Sequence, residues 1–566
     1  MLYALYAVVR NVLMAPLIWG RAISRAFSSS PQWVEIRIRG NPPNRPSPWW
    51  AAAAGAFGGG AAAGLSVEEL TEVAQAIAAD RKVEGVVWRI GPLSGAGWAK
   101  AEALRRAVAQ VRDAGKRSVA WLVEPGHPEW LVAGGAAEVR LHEASAAVVT
   151  GVSAEVSFFG GAAARFGVQA QMERIGEYKG AVEPWTRAEP SEQFTEAMNA
   201  MVGALQDDLV SSVAAGRGWD LDKARAVLDA GPYTAQGAED AGLVDGLCGA
   251  RDLTKTLTAS GVAAPKPKGP GWFIEGPTFL PLSRKPEIAV VGVQGLIRTS
   301  GGGAGPGPAG STADDVIAAL EAAARDSSVA AVVLHVDSRG GSAIGSDLIW
   351  DAVRATCADK PVVAWMGEAA ASGGYYVACG ADHIIAAPGT LTGSIGVIAG
   401  KLVYKDLLDK IGVGRALFAA GPRGGMFSPS RPFDEAELDW LRDEIQAVYD
   451  KFVSRVVEGR GMAPDAVDRY GRGRVWTGRQ ALERGLVDSL GGWPEALALA
   501  RDRAGLPLEK ATSVSPTRPR SGGLLDPRRR LNSHIASIVD PQWLEAAWLG
   551  GPQGPRVAVW APLPRV

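Results

Sequence analysis

Three short runs of small residues in the second half of the chain are the places where chemistry could occur. Asp337-Ser-Arg-Gly-Gly-Ser342 follows the apolar run Val332 to Val336. Ala369-Ala-Ala-Ser-Gly-Gly-Tyr-Tyr376 follows Val362 to Met366, and Leu391-Thr-Gly-Ser-Ile-Gly396 comes soon after. Consecutive glycines after a strand let backbone N–H groups turn toward a bound oxygen with no Cβ in the way. A serine that ends a strand and opens a helix, as Ser372 is placed to do, gains from the helix's positive end. The N–H of the next residue, Gly373, is then open to an oxyanion. Well-placed donors of this kind lower a barrier by about 3 kcal/mol each. One such run alone reads as a turn or an N-cap. Three of them after successive strands make Ser372 a candidate nucleophile.

The elements that must position these residues occur twice. Val213-Ala-Ala-Gly-Arg-Gly-Trp219 recurs as Val456-Val-Glu-Gly-Arg-Gly-Met462, a shift of 243 (456 − 213), and Tyr233 to Asp245 recurs at the same shift as Trp476 to Asp488. Val83 to Ile90 parallels Val329 to Val336, and Val119-Ala-Trp121 parallels Val363-Ala-Trp365. A period this long means duplicated domains, not a solenoid. Each copy predicts an amphipathic helix (Val67 to Ala79, or Ala313 to Arg325), a β-branched strand, a glycine-rich loop, a further helix and a second apolar strand. A long helical stretch (Glu192 to Arg217, or Asp434 to Arg460) and a Gly-Leu-Val-Asp turn come later. Strands alternating with helices at these lengths predict an α/β fold with largely parallel sheets.

The Ala-Ser-Gly-Gly-Tyr-Tyr run, the Gly-Gly-Ser run before it and Leu-Thr-Gly-Ser-Ile-Gly after it resemble the signal peptide peptidase A family, also called protease IV, over roughly Val34 to Arg501. The resemblance implies tandem duplicated ClpP/crotonase-like domains of repeated β-β-α units behind an N-terminal apolar helix. It also implies a serine–lysine dyad whose lysine comes from the first domain. The family's segment for that lysine is matched by Gly176-Glu-Tyr-Lys-Gly-Ala-Val-Glu-Pro184, which makes Lys179 the expected general base for Ser372. A lysine can serve only when neutral, so burial must bring its pKa down from about 10.4. The resemblance further implies oxyanion donors at Gly373 and at Gly340 or Gly341, and an auxiliary Ser394 holding the lysine amine. One departure is Arg339, where the family commonly has proline, which relaxes the backbone there.

The duplication acts as an internal check. The first-copy match to Ser372 falls around His127-Pro128, with no serine, and the second-copy match to Lys179 falls near Arg423. Arginine stays protonated and cannot act as the base. The domains expected are 1–28 (membrane anchor or interfacial helix), 34–262 (first domain, supplying Lys179), 263–284 (Pro/Gly linker), 285–505 (second domain, supplying Ser372) and 506–566 (extension). The active site is expected where the two domains meet.

A net charge of -1, from 59 basic and 60 acidic residues, gives no electrostatic case for nucleic acid. Cys248, Cys357 and Cys379 lack CxxC spacing, which argues against a disulfide framework or zinc site; Cys379 reads as a small buried residue. No metal or organic cofactor is indicated. Met1 to Gly20 is almost wholly apolar but interrupted by Arg10 and Pro16, which suits an anchor or an interfacial helix, with a core-docking helix as the alternative. The expected partners are hydrophobic peptides such as spent signal peptides, a membrane, and copies of the chain in a tetramer. The expected location is a bacterial inner membrane, with the catalytic domains on its outer side. Rival readings are a Ser-His-Asp triad through His383 beside Asp382, a crotonase-like acyl-CoA enzyme, and a non-catalytic scaffold.

Overall fold

The computed structural model describes residues 2–26, 31–45, 65–250, 253, 269–273, 286–300, 310–506, 513–516 and 558–559. Most of the expected linker and extension lies outside them. The chain forms two compact units, residues 1–153 with 203–285, and residues 154–202 with 286–566.

The first unit is built on a parallel sheet. β1 (Trp33–Ile38), β2 (Gly85–Ile90), β3 (Arg117–Leu122), β4 (Glu138–Leu141) and, further along the chain, β6 (Gly246–Leu247) lie side by side in that order. Parallel neighbours need crossovers, and the helices Val67–Ala79 and Trp98–Asp113 provide the first two. The first of these begins at a capping box in which Ser66 and Glu69 satisfy each other's backbone N–H. Val86, Trp88 and Ile90 are fully or almost fully buried, as strands covered on both faces must be.

The second unit repeats this plan. β7 (Glu287–Ile297), β8 (Val329–Ser342), β9 (Val362–Ala371), β10 (His383–Ala386) and β14 (Ser489–Leu490) form a parallel run. Helices Ala313–Arg325 and Ala343–Asp359 make its first crossovers. β11 (Leu391–Gly393) adds parallel to the end of β9 and pairs antiparallel with β13 (Val475–Thr477). β12 (Val397–Val403) pairs antiparallel with β5 (Gln169–Ile175) over seven positions, from Val397 opposite Ile175 to Val403 opposite Gln169. Ser513–Pro516 pairs with β7, and Ala558–Val559 with β8 and β12.

The duplication extends to individual bonds. Arg217 forks onto Asp245, whose carboxylate accepts from the Val139 N–H; Arg460 does the same with Asp488, which accepts from Ile384. Lys116 reaches the carbonyls of Asp80 and Val83, as Lys360 reaches those of Ala323 and Asp326. Each lysine ties the start of the third strand of its sheet to the end of the first crossover helix.

Residues 154–202 lie in the second compact unit, where β5 finds its ladder partner in β12. The N-terminal helix forms over Leu2–Ala26, but no helix among the described residues is long and apolar enough to cross a membrane. Its 25 residues exceed the roughly 20 needed for length. Arg10 and Asn11 in mid-helix break the apolar run.

Candidate active site

Ser372 stands where β9 ends and the helix Gly373–Ala378 begins. Its backbone is held at φ 58°, ψ -119°, a conformation unusual for a residue with a Cβ. The bonds that impose it are at hand: its N–H donates to the Gly393 carbonyl at 2.7 Å, and its own carbonyl accepts from Tyr376. The turn is anchored below by Tyr375, whose hydroxyl donates to the Leu486 carbonyl, and by Tyr376, which stacks on Phe452 and donates to Asp347. The two tyrosines of the motif are therefore supports for the serine.

The Gly-Gly-Ser run is not a loop. β8 continues through it, with Gly340 opposite Leu296 and Gly341 opposite Ile297. Both glycines have positive φ (111° and 152°), and a Cβ on Gly341 would collide with the Ile297 carbonyl. A Cβ on Gly373 would come within 3.3 Å of the Gly341 nitrogen and 2.5 Å of Ser346 Oγ, so the two backbones lie against each other beside Ser372. Arg339 is exposed where proline was expected. Bracing comes from Ser338, whose hydroxyl donates to the Gly295 carbonyl (2.6 Å) and accepts from the Gly340 N–H (3.1 Å). That second bond occupies the Gly340 N–H, while Gly341 lies between Ile297 of β7 and Val559.

Lys179 follows β5 through the turn at Gly176. Its Nζ lies 2.6 Å from Ser372 Oγ, 2.7 Å from the Ser394 carbonyl and 2.9 Å from Ser394 Oγ. The side chain is 1% exposed, and burial alone holds its pKa well below that of an ordinary lysine. Ser394, like Ser372, has positive φ (55°), which turns its carbonyl and hydroxyl onto the same amine. All three residues lie in the second compact unit.

Sequence reasoning missed several supporting residues. Gly473 (φ 80°) packs so closely on Lys179 that a Cβ there would sit 2.5 Å from the lysine's Cα, and the Arg472 carbonyl accepts from the Tyr178 N–H. Nothing in the local sequence around Gly473 signals this. Arg174 donates to the Lys179 carbonyl at 3.2 Å and to Glu183 at 2.7 Å. Glu183 lies inside the Gly176–Pro184 motif, so the motif was the available signal.

The rivals fare differently. The ring nitrogens of His383 face Ser489 Oγ at 2.9 Å and Arg503 at 3.3 Å, while Asp382 accepts from the Val362 N–H. That histidine ties β10 to β14 and does not serve Ser372. Burial pushes the Cys379 thiol up to about 12, consistent with a small core residue. His127 contacts the Thr150 carbonyl, and Arg423 lies exposed in a turn. No cluster of potential metal ligands occurs among the described residues.

The profile of peptidase family S49 matches residues 110–262 and 354–507, one stretch in each half of the chain. The chain belongs to peptidase family S49. Serine protease SPPA, chloroplastic, of Arabidopsis thaliana is 30% identical over 470 residues, covering 81% of this chain and 68% of that protein. Protease 4 of Haemophilus influenzae is 31% identical over 440 residues (74% and 70%), and Protease 4 of Salmonella typhi 30% over 447 (75% and 70%). The S49 assignment brings the tandem ClpP/crotonase-like α/β architecture expected above, and it makes the protein a peptidase of the serine class. Within the S49 chain the first match ends at residue 262 and includes Lys179, while the second includes Ser372.

Proposed function

We propose that this S49 peptidase hydrolyses peptide bonds with a serine–lysine dyad, Ser372 as nucleophile and Lys179 as general base. The observation that carries the reading is the 2.6 Å approach of a buried lysine amine to the serine hydroxyl. A neutral amine has two N–H groups and one lone pair. Here the two donors can serve the Ser394 carbonyl and hydroxyl, and the lone pair faces the Ser372 proton. Every valence of the neutral form is satisfied, whereas a charged ammonium would lack a carboxylate partner in a dry site.

Ser372 Oγ attacks the peptide carbonyl as Lys179 takes its proton, and the N–H groups of Gly373 and Gly341 stabilise the oxyanion. Collapse of the tetrahedral intermediate breaks the C–N bond, and the leaving amine takes the proton from Lys179. Water then attacks the acyl-serine, gives a proton to Lys179, and the second collapse releases the acid and restores the serine.

Apolar peptides are the proposed substrates, supported by Ile344 (60% exposed) and Leu348 (42%), one turn apart on the helix that follows Gly341. An interfacial membrane contact is proposed for the helix Leu2–Ala26, which exposes Leu5, Val12, Leu13, Leu17 and Trp19. A tetramer is proposed with it; the exposed Ile411, Leu417 and Phe418 offer apolar surface to another copy. The deciding experiment compares cleavage of an apolar peptide by wild type, Ser372→Ala and Lys179→Ala. Undiminished cleavage by either variant would sink the dyad. Loss in both, with a serine-directed probe labelling Ser372 only when Lys179 is present, is the expected result.

A further inference from the structure

The end of β8 and the start of β12 stand on either side of one short strand. Ala558 pairs antiparallel with Ser342 and with Ile398, and Val559 pairs with Gly341. In the sheet, β8 and β12 are neighbours of Ala558–Val559 and not of each other. Paired strands lie about 4.8 Å apart, so the slot between these two walls is about 10 Å across, the width that one extended chain fills. Its walls are those of the catalytic site. One is the end of β8, where Gly341 lies against Gly373, the residue after Ser372. The other is β12, which begins three residues after Ser394 (397 − 394) and whose far edge carries β5, the strand that leads to Lys179. All of these residues belong to the second compact unit.

The sequence at the slot suits a strand. Arg556-Val-Ala-Val-Trp-Ala561 is mostly apolar and free of proline, between Pro555 and Pro562. Every residue of that stretch therefore keeps an N–H for a neighbouring strand. A peptide added to a sheet gains affinity from main-chain bonds and selectivity from alternate side chains. We infer, on the reading of Ser372 and Lys179 as the dyad, that a peptide substrate lies in this slot as a strand antiparallel to β8 and β12, and that the chain's own Ala558–Val559 segment occupies it as a tethered competitor. A tethered segment acts at an effective concentration of about a millimolar, so even a weak intrinsic affinity keeps the slot filled. Substrate must displace the segment before its carbonyl can reach Ser372. The contact is thus autoinhibitory: it raises KM and leaves kcat as it is.

Successive residues of a strand direct their N–H groups to opposite sides, so Ala558→Pro combined with Val559→Pro removes one donor toward each wall. This double variant, in the full chain, is compared with wild type in the hydrolysis of an apolar peptide. KM is expected to fall by roughly threefold or more, with kcat and Tm unchanged. A second measurement needs no catalysis. A fluorescent peptide of residues 554–566 is titrated into Ser372→Ala and into Ser372→Ala that also carries the two prolines. Tighter binding to the proline form, with displacement by the apolar substrate, is the expected result. An unchanged KM, or a peptide that binds both forms equally, would overturn the inference. If instead Lys179→Ala cleaves as wild type does, it is the dyad that fails, and the binding comparison is untouched by that failure.

Discussion

Ser394 meets Lys179 twice, through its carbonyl at 2.7 Å and its hydroxyl at 2.9 Å. Its backbone stands at φ 55°, and in that conformation both oxygens face the same amine. Ser394→Ala keeps the carbonyl and loses the hydroxyl. A lost hydrogen bond of about 1–3 kcal/mol corresponds to roughly 5- to 150-fold in rate. The expected outcome is a fall in kcat of that order with little change in KM, measured by steady-state peptide hydrolysis.

Burial of Lys179 has a stability consequence of definite sign. Its folded pKa lies below that of the unfolded chain, so between the two values the unfolded state binds a proton that the folded state does not. That difference opposes folding at neutral pH and disappears as pH rises past about 10.4. Lys179→Met should therefore raise Tm at pH 7 by a few degrees, and the gain should shrink toward pH 10 in calorimetric scans. A variant less stable than wild type at pH 7 would contradict this account.

Gly473→Ala places a methyl group against the Lys179 backbone at a position whose φ is 80°. Either the turn or the lysine must move, and displacements of about 1 Å in a catalytic group cost on the order of 100-fold. Activity should fall by at least tenfold while the first unit keeps its hydrogen-exchange protection. Unchanged kcat/KM would show that Gly473 does not set the position of the lysine.

His383→Ala should leave peptide hydrolysis within about twofold of wild type, since the ring is committed to Ser489 and Arg503. Loss of activity with intact stability would reopen the histidine reading.

The Cys379 thiol, pushed up to about 12, is almost wholly protonated at pH 8. Iodoacetamide should modify it only after unfolding, as peptide mapping would record. Rapid native labelling there would mean that the core around Tyr375 opens.

Much of this was legible in the sequence, for stated reasons. The helices Val67–Ala79 and Ala313–Arg325 were read from apolar spacing and formed at those bounds. Ser372, Ser394 and Lys179 were singled out, and the structure brings them together. What escaped was the partner of β5. A strand such as Gln169–Ile175 carries no mark of its partner, and β12 lies more than 200 residues away. The Gly-Gly-Ser run was read as a loop because glycine usually ends strands. Here β7 pairs alongside it and keeps it extended. Gly473 was invisible because its role depends on a contact distant in sequence.

The path of the chain also bears on when the enzyme can act. Lys179 and Ser372 are 193 residues apart, and the strand leading to the lysine is completed only by β12, made later still. At about 5–20 residues per second, synthesis of that interval takes on the order of 10–40 s. Throughout it the nascent polypeptide holds the proposed base without the proposed nucleophile. A chain interrupted anywhere before residue 372 cannot hydrolyse anything by this route, so proteolytic capacity arrives late and all at once.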